Sequence, residues 1–148
     1  MRRRKQPSRL KSVRVYRGIP NRKFESGKAR AGREQRERWL QDIRVTFIGR
    51  NLQYRGEPPR PREKGIDTAL AIDLVALAFW SESDVFIVAS RDTDLEPAIE
   101  LVMSGKLGNR VVEVVGVKGL SRLRCQTGPV PWCHYLSRED FEAIRDDG

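Results

Sequence analysis

Cysteine, histidine and methionine are scarce in this chain: its 148 residues include two cysteines, one histidine and two methionines. Two cysteines, Cys125 and Cys133, are too few for a disulfide framework, and a reducing cytoplasm is the simplest location to expect. Together with His134 they make only three metal-ligand types without C-x-x-C spacing, which argues against a zinc site and for plain thiols and a surface histidine. A lone histidine also argues against a serine or cysteine triad. No apolar run approaches the roughly 20 residues a membrane helix needs, so no membrane partner is expected. The start, MRRRKQPSRLKSV, is basic but is followed by no apolar h-region, so it does not read as a secretory signal. Internal repeats are absent, and no segment beyond the basic start has low complexity.

Charge is abundant and unevenly placed. Residues 1–64 hold 21 Lys and Arg against 6 acids, a net of +15, whereas residues 65–148 hold 8 against 14, a net of −6. A basic half joined to an acidic half suits a phosphate-binding surface beside a carboxylate site, although a solvated tail next to an ordinary surface has the same pattern.

Residues 1–12 are polar, basic and without periodicity, and are expected to form a disordered tail ahead of a single domain over 13–148. VRVY (13–16) alternates like a strand and GIPN closes it with turn residues. Helix formers dominate residues 25–42. The only large apolar residues there, Trp39 and Leu40, come at the end, so this helix should be highly solvated; it carries Lys28, Arg30, Arg33, Arg36 and Arg38. IRVTFIG (43–49) returns to strand character. EPPRPREKG (57–65) reads as a proline-punctuated loop.

Beyond it the pattern changes. DTALAIDLVALAFW (67–80) is apolar on nearly every face and predicts a mostly buried helix. DVFIVAS (84–90) predicts a strand covered on both sides. DLEPAIELVMSG (94–105) reads as a helix with proline in its first turn and glycine after its end. RVVEVVGV (110–117) and VPWCHYL (130–136) read as strands. SREDFEAIR (137–145) opens on a serine with an acid three residues on, a capping-box start. Strands alternating with helices imply an α/β fold with a mainly parallel sheet.

In such a sheet ligands bind beyond the carboxyl ends of the strands, which puts Ser90, Asp92 and Asp94 at the functional edge. Two carboxylates on one short loop can both stay ionised if water, donors or a cation compensates, and hard oxygen ligands suit Mg²⁺ or Mn²⁺. Asp94 equally suits the N-cap of the next helix and Asp92 a turn. Asp67 falls at a helix start, where capping is again the bland reading. Asp73 sits within LAIDLVALAF, where Asp is a poor mid-helix residue, and once buried it needs a partner such as Lys64, Arg91 or a backbone group. Asp67 and Asp73 lie about 120° apart around a helix, so Asp67 is the better candidate to share an edge with Asp92 and Asp94. Trp39, Tyr54 and Trp132 suit stacking on bases, and equally suit packing.

EKGIDTALAIDLVALA followed by DVFIVASRDTDLEPAIELV resembles the NYN domain family, the LabA-like branch of the PIN-like nucleases. The matching positions are Lys64, Gly65, Asp67, Leu70, Asp73, Ser90, Asp92, Asp94, Leu95 and Pro97. VRVYRGIPN, the helical stretch after it and RVTFIG fit the family's earlier elements, so the resemblance covers most of the chain after residue 12. It implies a three-layer α/β/α PIN-like fold and a metal-dependent ribonuclease, a hydrolase that uses Mg²⁺ or Mn²⁺ to cleave RNA. Asp67, Asp92 and Asp94 would be catalytic residues and metal ligands, and Asp73 a supporting catalytic acid. Lys64, Ser90 and Arg91 would face the substrate. One departure stands out. The family begins with a strand ending in D-x-x-N, and nothing before Val13 matches it, so the expectation is a chain lacking that strand and one ligand. The rival expectation follows from it: a catalytically inactive nucleic-acid-binding or protein-interaction module of the same fold.

Overall fold

A computed structural model describes residues 8–120 and 122–144. They fall into two compact units, one of residues 8–70 and one from residue 71 onward. Residues 8–12 are exposed and without regular structure, and residues 1–7 of the expected tail lie outside the described residues.

The first unit is a β-α-β arrangement followed by a small hairpin. Strand β1 (Val13–Ile19) runs parallel to β2 (Val45–Asn51), in register from Val13 opposite Val45 to Ile19 opposite Asn51. Parallel neighbours need a long crossover, and helix α1 (Ser26–Trp39) supplies it. No residue of α1 is buried, as its lack of an apolar stripe predicts. Arg36 and Arg38 in its last turn complement the negative end of the helix dipole. The strand continues through Gly18 and Ile19, although GIPN predicts a turn there; the reversal comes instead at 21–24, where the Asn21 carbonyl accepts from the backbone of Phe24 and Glu25. The expected loop at 57–65 contains a strand. Here β3 (Gln53–Arg55) pairs antiparallel with β4 (Arg60–Arg62), Tyr54 opposite Pro61. A two-stranded ribbon has a free edge on each strand, and proline is tolerated there because its missing N–H costs the ladder nothing.

Helix α2 (Ile66–Trp80) follows Gly65, whose φ of +77° suits glycine, and the boundary between the units falls within it. It is less buried than its composition predicts. Ile66, Leu74 and Ala78 are buried, whereas Ile72, Phe79 and Trp80 are 63%, 58% and 80% exposed. One stripe at helical spacing suffices to anchor a helix, and apolar residues on the remaining faces stay in contact with solvent.

The second unit is a parallel sheet in the order β5 (Val85–Val88), β6 (Val111–Val117), β7 (Trp132–Leu136). The middle strand buries Val112 and Val114 completely, against Leu95, Ile99 and Val102 of the intervening segment. Helix α3 (Glu96–Met103) carries Pro97 in its first turn and ends at Ser104, before Gly105. Val88 of β5 is buried but Ile87 is 58% exposed, so this strand is covered on one face rather than two. Helix α4 (Arg138–Ile144) starts on the expected box: Asp140 donates its backbone N–H to Ser137 Oγ, and its Oδ2 accepts from the Ser137 backbone.

One arginine ties the end of α2 to the start of β6. Arg110, just before β6, donates to the carbonyls of Ala78, Ser81 and Ser83 at 3.1, 2.9 and 3.1 Å. Those carbonyls lie at and just past the C-terminal end of α2, where helices leave acceptors unsatisfied. His134, expected on the surface, is half-buried and bonds Glu113 at 2.7 Å across β6 and β7. Glu113 is itself buried, and a buried carboxylate needs such a partner.

Candidate functional site

Strand β5 ends at Val88, and its polypeptide turns into α3 through Ala89–Leu95. Two side chains shape this turn in succession. Ser90 Oγ accepts the backbone N–H of Asp92 at 3.1 Å, and Asp92 Oδ1 accepts that of Asp94 at 2.9 Å. Short polar side chains that bond two residues on are the usual makers of such turns. Asp92 thereby caps the 3-10 turn Thr93–Leu95, which runs straight into α3. The sequence suggests Asp94 as the cap and Asp92 as a turn residue; a 3-10 turn over Thr93–Leu95 precedes α3, so Asp92 is the cap and Asp94 lies within the turn. Leu95, fully buried, holds the loop to the core from below.

The cap engages one oxygen of Asp92. Asp94 stands exposed in the turn, and among the described residues its carboxylate makes no hydrogen bond or ion pair. Arg91 between them is exposed and has an interaction partner. Asp73, half-buried in α2, is also partnered, as a mid-helix aspartate must be when it leaves water.

Asp67 belongs to the other unit. It lies inside the first turn of α2, half-buried, where the positive end of the helix dipole favours a carboxylate. Lys64 is exposed on the approach to that turn. Two further residues line this approach that sequence patterns did not single out. A Cβ on Gly18 would stand 2.8 Å from Glu63 Oε1, and one on Gly65 would stand 3.4 Å from Arg50 Nη1. Glu63 therefore lies against the end of β1, and Arg50 against the turn that leads to Asp67. Nothing in the spacing of either residue marks it; only the fold brings them there. Among the described residues no three His, Cys, Asp or Glu side chains are gathered so as to hold one ion. Asp73, Ser90, Arg91, Asp92 and Asp94 fall in one unit, and Lys64 and Asp67 in the other.

The remaining candidates are structural. Cys125 and Cys133 are buried free thiols, and burial together with Glu100 and Glu96 raises the Cys125 thiol above its ordinary range. Tyr54 stacks on Phe24 at 4.4 Å, donates to Glu25 Oε2 at 2.6 Å and accepts from the Asn21 backbone at 3.0 Å. Burial first, and the bond to Glu25 second, raise its hydroxyl. Trp39 faces Phe47 at 6.4 Å and lies under the Arg17 guanidinium. Of the three aromatic candidates, Trp132 alone is free of ring contacts among the described residues, and it is half-exposed.

No helix among the described residues is long and apolar enough to cross a membrane. The NYN domain family model matches residues 4–125, most of the chain. No curated protein and no solved structure matches it. The chain belongs to the NYN domain family, and its helices alternating with parallel strands are those of a PIN-like α/β nuclease fold.

Proposed function

We propose that this NYN domain is a metal-dependent ribonuclease that hydrolyses RNA phosphodiester bonds at Asp67, Asp92 and Asp94, with Asp73 in support. The observation that carries this reading is the Ser90–Asp92–Asp94 turn. It sets two carboxylates beyond the carboxyl end of a parallel strand, where α/β folds bind ligands.

The donor chemistry fits a hard divalent cation: every candidate ligand is a carboxylate oxygen, and the cap leaves one Asp92 oxygen and the whole Asp94 carboxylate available. Asp92, Asp94 and Asp67 would hold Mg²⁺ or Mn²⁺. Such an ion activates water and neutralises charge on the phosphorane-like transition state. The chain's own residues do the rest. Ser90 fixes the direction of the loop by accepting from Asp92. Lys64 and Arg91 supply positive charge for the phosphate being attacked. The basic first half of the sequence attracts the polyanion and makes its binding salt-dependent.

The test is cleavage of labelled RNA in Mg²⁺ or Mn²⁺ by the protein and by its Asp92→Asn, Asp94→Asn double variant. Cleavage by the first and none by the second supports the reading. Equal cleavage by both, or none by either, overturns it. In the second case, salt-sensitive RNA binding retained by both proteins identifies a binding module instead.

A further inference from the structure

Helix α1 is a long element without a buried residue, and it carries Lys28, Arg30, Arg33, Arg36 and Arg38. A groove of about 450 Å³ runs along its N-terminal half, lined by Arg22, Ser26, Gly27, Ala29, Arg30 and Arg33. Its composition is specific: three guanidinium groups surround the small side chains of Ser26, Gly27 and Ala29. A Cβ added at Gly27 would meet nothing within 4 Å, so the space beside it is open.

The acids near this groove are engaged or too loosely placed to neutralise it. Glu25 precedes the helix, but its carboxylate accepts from Lys28 Nζ and from the Tyr54 hydroxyl, both at 2.6 Å. Those two bonds, Lys28 first, hold it below the ordinary carboxylate range. Glu34 meets Arg30 only at 3.7 Å with both side chains well exposed, a contact that salt screens. Among the described residues Arg22 and Arg33 make no hydrogen bond, ion pair or ring contact. Two residues from Arg22 in sequence, Phe24 is 44% exposed; its ring stacks on Tyr54, and the exposed Lys23 places its Nζ over the ring, 5.7 Å from the centroid. An exposed aromatic ring with a flexible lysine over it, close in sequence to a groove arginine, suits an unpaired base, because bases in a duplex are already stacked.

We infer that this groove binds consecutive phosphates of single-stranded RNA, with Arg22, Arg30 and Arg33 as the phosphate contacts and Phe24 as a base-stacking face. The inference rests on the ribonuclease reading for its choice of RNA, and it places the strand on α1 rather than on the basic surface at large.

The experiment is an anisotropy titration of a labelled RNA strand of about 12 nucleotides with the full chain. It is run in EDTA and repeated over a salt series. The Arg22→Gln, Arg30→Gln, Arg33→Gln protein is compared with a charge-matched control, Arg55→Gln, Arg60→Gln, Arg62→Gln, on the hairpin. None of these six residues is buried, so both variants should melt like the parent. The groove variant should bind about tenfold or more weakly, with a log K against log salt slope shallower by about 2, at roughly 0.7 per lost phosphate contact. The control should change binding less than about threefold, as expected of diffuse charge. Equal losses in the two variants, or no loss in the groove variant, would overturn the groove while leaving the ribonuclease reading standing. Tighter binding of a duplex RNA, or equal binding of the same DNA strand, would overturn the assignment to single-stranded RNA. An absence of RNA binding by the parent chain would sink both proposals. Loss of cleavage in the Asp92→Asn, Asp94→Asn protein with undiminished RNA binding separates the catalytic site from the groove.

Discussion

Asp92 Oδ1 accepts the backbone N–H of Asp94 at 2.9 Å, so one candidate metal ligand is held in place by the backbone of the next. The same carboxylate then has two duties, to cap a turn with one oxygen and to offer charge with the other. They can be separated, because asparagine caps about as well as aspartate but carries no charge. Asp92→Asn should keep the parent's thermal midpoint and abolish RNA cleavage. Asp92→Ala should abolish cleavage and also lose about 1 kcal/mol of stability. Paired melting curves and cleavage assays check this, and a large loss of stability in the asparagine variant would contradict the capping role.

Gly65 precedes α2 with φ of +77°, two residues ahead of Asp67. A side chain there incurs about 1–2 kcal/mol of left-handed strain. Gly65→Ala should therefore lower the denaturant midpoint and, by shifting the entry to α2, reduce cleavage. Urea titration measures the first effect and initial rates the second. A variant as stable as the parent would show that the turn is not under this constraint.

Arg110 satisfies three carbonyls around the end of α2 while its own side chain is only 22% exposed. Its removal leaves those acceptors with few partners, and Arg110→Ala should cost about 2–4 kcal/mol. Arg110→Lys should recover little of that, because an ammonium lacks the planar fork that reaches three directions at once. Chemical denaturation of both variants distinguishes this from a simple effect of charge.

Asp42 donates nothing to the core but makes a tight pair with Arg44, whose guanidinium and backbone both bond its carboxylate. Those bonds, the guanidinium first, bring the Asp42 carboxyl down from 3.8 to about 2. A folded-state value below the unfolded one stabilises above the unfolded value and is lost as pH falls through the folded one. The contribution of this pair should thus be complete above about pH 4 and disappear towards pH 2. Carboxyl NMR should show the low titration in the parent and its return to the ordinary range in Arg44→Gln.

Much of this organisation was legible in the linear chain because local chemistry dictates it. The apolar runs at 84–90 and 110–117 contain the strands Val85–Val88 and Val111–Val117 because short β-branched stretches bounded by polar and turn residues favour extended backbone, although cover on both faces of the first does not follow. The Ser137–Asp140 box begins a helix because the two residues satisfy each other's backbone without outside help. The solvated α1 follows from its missing apolar stripe. The resemblance to the NYN domain family rests on the order and spacing of KGID and SRDTD, which are properties of sequence alone, and the family model matches residues 4–125.

Other features depend on what meets what in three dimensions. The sequence points to Asp94 as the cap, since both aspartates are good caps and Asp94 is nearer the helix; the 3-10 turn over Thr93–Leu95, with Leu95 buried, gives the cap to Asp92 instead. The β3–β4 ribbon was masked by three prolines, whose penalty vanishes on a strand with a free edge. Exposure of Ile72, Phe79, Trp80 and Ile87 could not be read from composition, because hydropathy states what prefers burial and not how much partner surface exists to provide it. The positions of Glu63 against β1, Arg50 against Gly65 and His134 on Glu113 join residues 45, 15 and 21 places apart. Sequence determined which residues carry the charge, the caps and the apolar runs. Tertiary structure decided which of them touch, because contact between distant residues depends on how the whole chain packs and not on any local spacing.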